Sequence, residues 1–171
     1  FLFIFGLYDD KFNINPNLKL LLSIVLFYLF IFFNKDFVLN EIVISSGYRI
    51  NLSYYSIPFT IFCLVIFQNA FNMYDGINLQ NISYFILLLI IINFFYNKID
   101  FLIYLTPVLF LISFMNFKNK LFLGDSGSYI LSFIIALTLI KLFNTSNNIF
   151  SDEVFLFLCI PGYDLLRLAI T

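Results

Sequence analysis

Six long apolar runs, at positions 18–33, 57–71, 82–96, 99–115, 129–143 and 154–170, and a shorter one at 1–7 take up most of this chain. A soluble domain averages about a quarter charged residues, whereas here 11% are charged and 62% are hydrophobic. A bilayer crossing takes ~20 mostly apolar residues, and flanking Tyr, Asn and Ser extend the runs that fall short. The expected fold is therefore an all-α membrane protein, a polytopic transmembrane helix bundle of seven spans with the first incomplete. No internal repeat is evident, so 1–171 reads as a single integral-membrane domain.

The sequence opens at Phe1 inside an apolar run and stops at Thr171 with no polar tail after the last one, which reads as a piece truncated at both ends. A secretory signal accounts poorly for 1–7, because no basic segment precedes it and no small-residue cleavage site follows. Cys63 and Cys159 sit in apolar runs without metal-type spacing and read as ordinary buried thiols. The net charge of -1 sums charges scattered over separate connections and identifies no partner. The abundance of Phe, Ile, Asn, Lys and Tyr is compatible with nucleotide bias, so the apolar residues carry no individual functional reading.

What remains is the connections, and they sort by parity. If each run crosses once, "YDDKFNINPN", "NMYDGINLQN" and "NFKNKLFLGDSGS" face one side of the membrane. The connection over 34–56, "NKID" and "NTSNNIFSDE" face the other. The three segments with Asp beside Asp or Gly share a side. That side holds Lys11, Lys19, Lys118, Lys120 and Arg167, against Lys35, Arg49, Lys98 and Lys141 opposite, and the excess of positive residues favours a cytoplasmic position for the motifs. Partial alternation in "VISSGYRINLSYY", with Gly47 at a turn position, predicts a short β-hairpin on the outer side.

Each acidic segment has a bland reading beside the functional one. Asp9 and Asp10 close a run before Pro16 and Lys19, as ordinary helix-boundary residues would, yet adjacent carboxylates repel unless a metal or cation is near. In "QNAFNMYDG", helical spacing puts Asn69, Asn72 and Asp75 each about 60° from the next. That face could pack amides between helices, or Asp75 and Gly76 could form a turn with an anionic ligand. In "LFLGDSGSYILSF", Asp125 and Ser126 are either plain helix caps or part of a helix start whose free N–H groups receive a phosphate. Convergence decides between the readings, since three acidic clusters on one face call for cations and a polyanionic substrate. Carboxylates, small-residue turns and the absence of histidine describe a magnesium site for phosphates better than zinc or iron.

The ordered segments "GLYDDKFNINPNLKLL", "NAFNMYDGIN", "KLFLGDSGSYILSF" and "IPGYDLLRL" resemble the polyprenyl-phosphate N-acetylhexosamine-1-phosphate transferases, the WecA- and MraY-like glycosyltransferase family 4, and "NAFNMYDG" looks closer to the WecA branch. The resemblance covers nearly the whole chain. It implies transfer of a sugar-1-phosphate from a UDP-N-acetylhexosamine to polyprenyl (undecaprenyl) phosphate, with release of UMP. It also implies Mg2+, with Mn2+ as the alternative ion, at a cytoplasmic-face cleft of the bacterial inner membrane. The partners implied are those substrates and membrane lipid, with no nucleic acid; a homodimer is compatible.

Carried over by motif, Asp9 and Asp10 match the acidic pair that activates or positions the lipid phosphate. Asp75 matches the nucleotide-side acid, with Asn69 and Asn72 beside it. Asp125 matches the magnesium ligand, Phe122 the aromatic that stacks on uracil, and Asn116 an amide that helps hold the nucleotide. Many relatives carry a second Asp and Gly-Leu after "DG", where this chain has Asn78, Leu79 and Gln80, so Asn78 is expected to meet the base by hydrogen bonding without charge. The resemblance leads us to expect the family's histidine motif after Thr171, and the piece alone is expected to be inactive.

Three other readings compete. An ion-coupled transporter would place its acids at midplane depth, whereas Asp9, Asp10, Asp75 and Asp125 all fall at helix ends on one side, with Asp164 as the exception inside an apolar run. A CDP-alcohol phosphotransferase would have an Arg soon after the Asp-Gly pair, and none follows Asp75 before Arg167. A non-catalytic remnant of the transferase family is the third. Pro161 and Gly162 in the last run suggest a broken helix and a lateral groove for a polyprenyl chain, and Pro107 could kink its own helix similarly.

Overall fold

The computed structural model describes residues 1–76, 79–96, 100–145 and 149–170. Among the described residues seven α-helices form, α1 (Leu2–Phe12), α2 (Pro16–Phe33), α3 (Ser56–Met73), α4 (Gln80–Tyr96), α5 (Asp100–Phe117), α6 (Gly124–Thr145) and α7 (Ser151–Ile170), with a hairpin of β1 (Glu41–Val43) and β2 (Arg49–Asn51) between α2 and α3. The helices follow the apolar runs. Their ends follow the polar residues between them.

α1 does not stop at the acidic pair but carries Asp9 and Asp10 in its last turn, ending where Asn13 takes a left-handed conformation (φ 48°) and donates its N–H to Asp9 O. Asn tolerates that conformation better than most residues. α2 starts with Pro16 in its first turn, where a missing N–H costs nothing, and the Asn15 side chain accepts from Asn17 N. The hairpin pairs Glu41 with Asn51, Ile42 with Ile50 and Val43 with Arg49. Gly47 sits in its turn at φ 92°, a backbone that side chains with a Cβ rarely adopt.

Hydrogen bonds locate the two ends of the bundle. At one end Asn144, closing α6, donates to Asp36 O and Val38 O. Leu39 N there meets Thr60 near the start of α3, while Val43 N and Ser45 N donate to Ser151 and Asp152 at the start of α7. The segment before the hairpin thus ties α3 and α6 together, and the hairpin itself holds the start of α7. The end of α1 and the starts of α2 and α6 meet at the opposite end, so the alternation that parity requires is present.

α6 is central, with α1 and α3 packed on it and α2 and α7 packed on α3. Its contact with α1 is a backbone contact: a Cβ on Gly6 would lie 2.3 Å from Ser126 Cα. Small residues permit such close approach in membrane helix pairs. Phe27, Ile31, Leu64, Phe71, Phe85 and Ile135 belong to one buried apolar cluster, while α2 turns Leu21, Val25, Leu29 and Phe33 outward, as lipid-facing positions would be.

Among the described residues, three helical segments are long and apolar enough to cross a membrane, Pro16–Phe33, Ser53–Met73 and Gly124–Thr145; Gln80–Tyr96 and Tyr104–Phe117 are shorter apolar helices. α5 and α7 continue as helices through Pro107 and Pro161, so the expected break at Pro161 does not interrupt α7. Asp164, within the last apolar run, pairs with Arg167 one turn on, at 2.7 Å.

Candidate active site at the acidic end of the bundle

Four carboxylates and one ammonium converge where α1, α3 and α6 have their acidic ends. Lys19, in the first turns of α2, places Nζ 2.5 Å from Asp9 Oδ2 and 2.5 Å from Asp125 Oδ2. Asp9 is only 4% exposed and would be costly as an unpaired charge. Its Oδ1 accepts Ile14 N at 3.0 Å, and the Tyr129 hydroxyl donates to Oδ2 at 3.4 Å. The Tyr129 ring also lies beneath the Lys19 ammonium, 5.5 Å from ring centre to Nζ.

Asp10 does something different. Its Oδ1 accepts Asp125 N at 2.8 Å and its Oδ2 accepts Ser126 N at 3.2 Å, so a carboxylate from α1 caps the start of α6. The first N–H groups of a helix have no partner within it and favour negative charge. The sequence suggested a local cap or an open phosphate cradle at this point; the structure fills the cradle with Asp10. Gly124, at φ 63°, leaves room for that carboxylate, because a Cβ there would fall 2.9 Å from Asp10 Oδ2.

Asp75 enters from the third segment. α3 ends at Met73, so Asp75 lies two residues past it rather than on the helical face of Asn69 and Asn72. Its N–H still reaches Asn72 O at 3.2 Å, and its Oδ2 accepts the Ser128 hydroxyl at 3.2 Å. Burial raises the Asp75 carboxyl above its ordinary value; the Ser128 hydrogen bond opposes this, and the negative charges of Asp125 and Asp10 add to it. Asp75 therefore shares an electrostatic neighbourhood with both.

Of the expected amides, Asn116 is buried and fully engaged, accepting Leu79 N at 2.6 Å and donating to Leu121 O at 2.8 Å. It clamps the start of the α4 turn to the connection before α6. Asn69 donates back to Val65 O on its own helix. Phe122 stands 72% exposed on the connection that leads into Asp125. Asn78 lies outside the described residues. Among the described residues, no group of three or more His, Cys, Asp or Glu side chains is gathered closely enough to hold a metal ion unaided.

Four participants were not singled out from sequence. Lys19 could have been found, since a lysine ten positions or fewer after an acidic pair, at a helix start, is a candidate partner for it. Tyr129, Ser128 and Asn81 gave no such signal, because only the packing of the helices brings Tyr129 to Asp9, Ser128 to Asp75 and Asn81 to Ser128.

Four carboxylates and a lysine thus gather at one end of a helical bundle in which three helices are long and apolar enough to cross a membrane. Residues 1–143 match the profile of Glycosyl transferase family 4, and the chain belongs to that family, the one its WecA- and MraY-like motifs resemble. It is 33% identical over 134 residues to the phospho-N-acetylmuramoyl-pentapeptide-transferases of Streptococcus pneumoniae serotype 2 and serotype 19F strains, an alignment covering 72% of this chain and 40% of each relative. The chain thus spans less than half the length of these relatives. No solved structure matches it.

Proposed function

We propose that the protein transfers a sugar-1-phosphate, of the N-acetylhexosamine type, from a UDP-sugar to polyprenyl (undecaprenyl) phosphate at the cytoplasmic face of the bacterial inner membrane, releasing UMP. The observation that carries this reading is the convergence of Asp9, Asp10, Asp75 and Asp125 from segments far apart in sequence, with Lys19 bridging Asp9 and Asp125. Family membership and the likeness to pentapeptide-transferases support it.

The donor chemistry fits magnesium, with manganese as the substitute ion. Magnesium is commonly held by one or two carboxylates together with water and substrate phosphates, rather than by a closed protein cage. Asp125 would hold it, with Asp75 as the neighbouring carboxylate. When bound, such an ion offsets the charge of the pyrophosphate and stabilises the departing UMP.

The chain's own residues do the rest. A phosphate monoester has its second pKa near ~6 and is already a competent nucleophile at neutral pH, so Asp9 and Asp10 are needed to position more than to remove a proton. Their bonding agrees with that role: Asp9 is saturated by Lys19, Tyr129 and Ile14 N, and Asp10 by the α6 N-terminus. Phe122 offers an open ring face for the uracil. In this reading Asn116 sets the two connections that flank the nucleotide, and Asn69, Asn72 and Asn78 are assigned to the nucleotide by their motif alone.

The test is magnesium-dependent release of UMP by the full-length protein from UDP-N-acetylglucosamine and from the UDP-N-acetylmuramoyl-pentapeptide, each with polyprenyl phosphate. Preference for the first supports the WecA-like reading of "NAFNMYDG", and preference for the second the pentapeptide-transferase branch. Absence of release with any UDP-sugar would overturn the proposal.

A further inference from the structure

Asn81 lies in the first turn of α4, and it is completely buried. Its amide nitrogen donates to Phe71 O at 3.0 Å and to Ser128 Oγ at 3.1 Å. Phe71 O can only accept, so the nitrogen must face it. Turning the amide over would set two oxygens against each other and leave at most one bond in place of two. With both amide hydrogens committed, Ser128 accepts from Asn81, and its own hydroxyl hydrogen is directed to Asp75 Oδ2, 3.2 Å away. The direction of every bond in the chain Phe71–Asn81–Ser128–Asp75 is thereby fixed. The cost is visible in the remaining amide oxygen, Asn81 Oδ1, which is buried without a hydrogen-bond partner among the described residues. A buried polar atom left unsatisfied costs about 1–3 kcal/mol, and here it accompanies a side chain whose other atoms organise a carboxylate.

We propose that Asn81 is a positioning residue for the reaction centre: it locks the Ser128 hydroxyl as a donor and so holds the Asp75 carboxylate in place beside Asp10 and Asp125. Asn81 touches no substrate, being fully enclosed, and acts only through Ser128. The catalytic part of this inference rests on the transferase reading above; the bonding part does not.

The experiment uses the full-length protein in lipid nanodiscs, with Asn81→Ala, the near-isosteric Asn81→Leu, Ser128→Ala, Ser128→Thr and the double variant Asn81→Leu with Ser128→Ala. Two measurements are made on each. The first is kcat and KM for UMP release; loss of one directed hydrogen bond of ~1.4 kcal/mol is a factor of about 10. Asn81→Leu and Ser128→Ala should each lower kcat/KM by about that factor, Ser128→Thr should stay near wild type, and the double variant should be no worse than Ser128→Ala alone. The second is the rate of carbodiimide labelling of Asp75, read by mass spectrometry, which needs no turnover. Labelling should rise by a similar factor in Asn81→Leu and Ser128→Ala and stay unchanged in Ser128→Thr. Losses that multiply in the double variant, or Asp75 labelling unaffected by Asn81→Leu, would overturn the proposal. If the wild type releases no UMP while labelling behaves as described, the transferase reading fails and the positioning network stands. Should the Asn81 variants not assemble, the contrast between Ser128→Ala and Ser128→Thr in the same two measurements decides, since equal behaviour of those two removes the hydroxyl from the network.

Discussion

The Asp10 carboxylate receives the backbone N–H of Asp125 at 2.8 Å across 115 positions of sequence, so the acidic pair of α1 and the acidic start of α6 form one structural unit. Replacing Asp10 with Ala removes both the charge and the cap. Loss of a helix cap costs about 0.5–2 kcal/mol, and thermal unfolding of Asp10→Ala should show a destabilisation of that order. Asp10→Asn, which keeps one accepting oxygen, should recover part of it.

Lys19 holds two carboxylates, one of them almost fully enclosed. Removing one partner from a buried pair costs about 3–5 kcal/mol; with Lys19 and Asp125 partly open to solvent the lower end applies. Lys19→Met should lower the unfolding temperature and reduce turnover by about two orders of magnitude, and a variant with wild-type stability and turnover would remove Lys19 from the site.

Asp125→Ala should be at least as damaging to turnover as Asp9→Ala or Asp10→Ala, because Asp125 is the proposed metal ligand. The measurement is UMP release alongside manganese binding by paramagnetic resonance. Normal turnover with the ion still bound would sink the assignment.

The raised pKa of Asp75 gives a pH signature. A carboxyl raised in the folded state stabilises the fold while protonated, so its contribution is complete below the ordinary Asp range and is lost as pH climbs through the raised folded value. If turnover needs the ionised form, the acid limb of the kcat/KM profile lies above the ordinary value of 3.8. Asp10→Asn removes one of the repelling charges and should move that limb down, whereas Ser128→Ala removes a bond to the ionised form and should move it up.

Phe122 is exposed and supports no core. Stacking of an aromatic on a base is worth about 1–3 kcal/mol, so Phe122→Ala should raise KM for the UDP-sugar at least several-fold while leaving unfolding unchanged. A KM equal to wild type would separate Phe122 from nucleotide binding.

Much of this was legible from the residues. The apolar runs become the seven helices among the described residues, Gly47 does turn a hairpin, and the hydrogen bonds at the ends of α1, α2, α3, α6 and α7 agree with the parity, while most of "NKID" lies outside the described residues. The three acidic segments were expected to converge, and Asp9, Asp10 and Asp125 meet with Asp75 within electrostatic reach. What was not legible is how each charge is satisfied. The wheel that grouped Asp75 with Asn69 and Asn72 assumed a helix that stops at Met73. The cradle at the start of α6 reads as open when only its own sequence is considered, since its cap comes from α1. Ser128 and Asn81 look like generic small and polar residues until α4 and α6 are packed, because hydrogen-bond direction is a property of three-dimensional neighbours and not of spacing.

The touching backbones of α1 and α6 at Gly6 and Ser126 bear on how such a chain can change over generations. With no side chain between the two helices, the distance from the acidic pair to Asp125 is set by main-chain contact, which the genetic drift of Phe to Leu or Ile to Val on the lipid side leaves untouched. Mutational tolerance should therefore be split, with wide freedom over the outer faces of α2 and α5 and almost none at one glycine. A saturation library at position 6 should return glycine nearly alone among active clones.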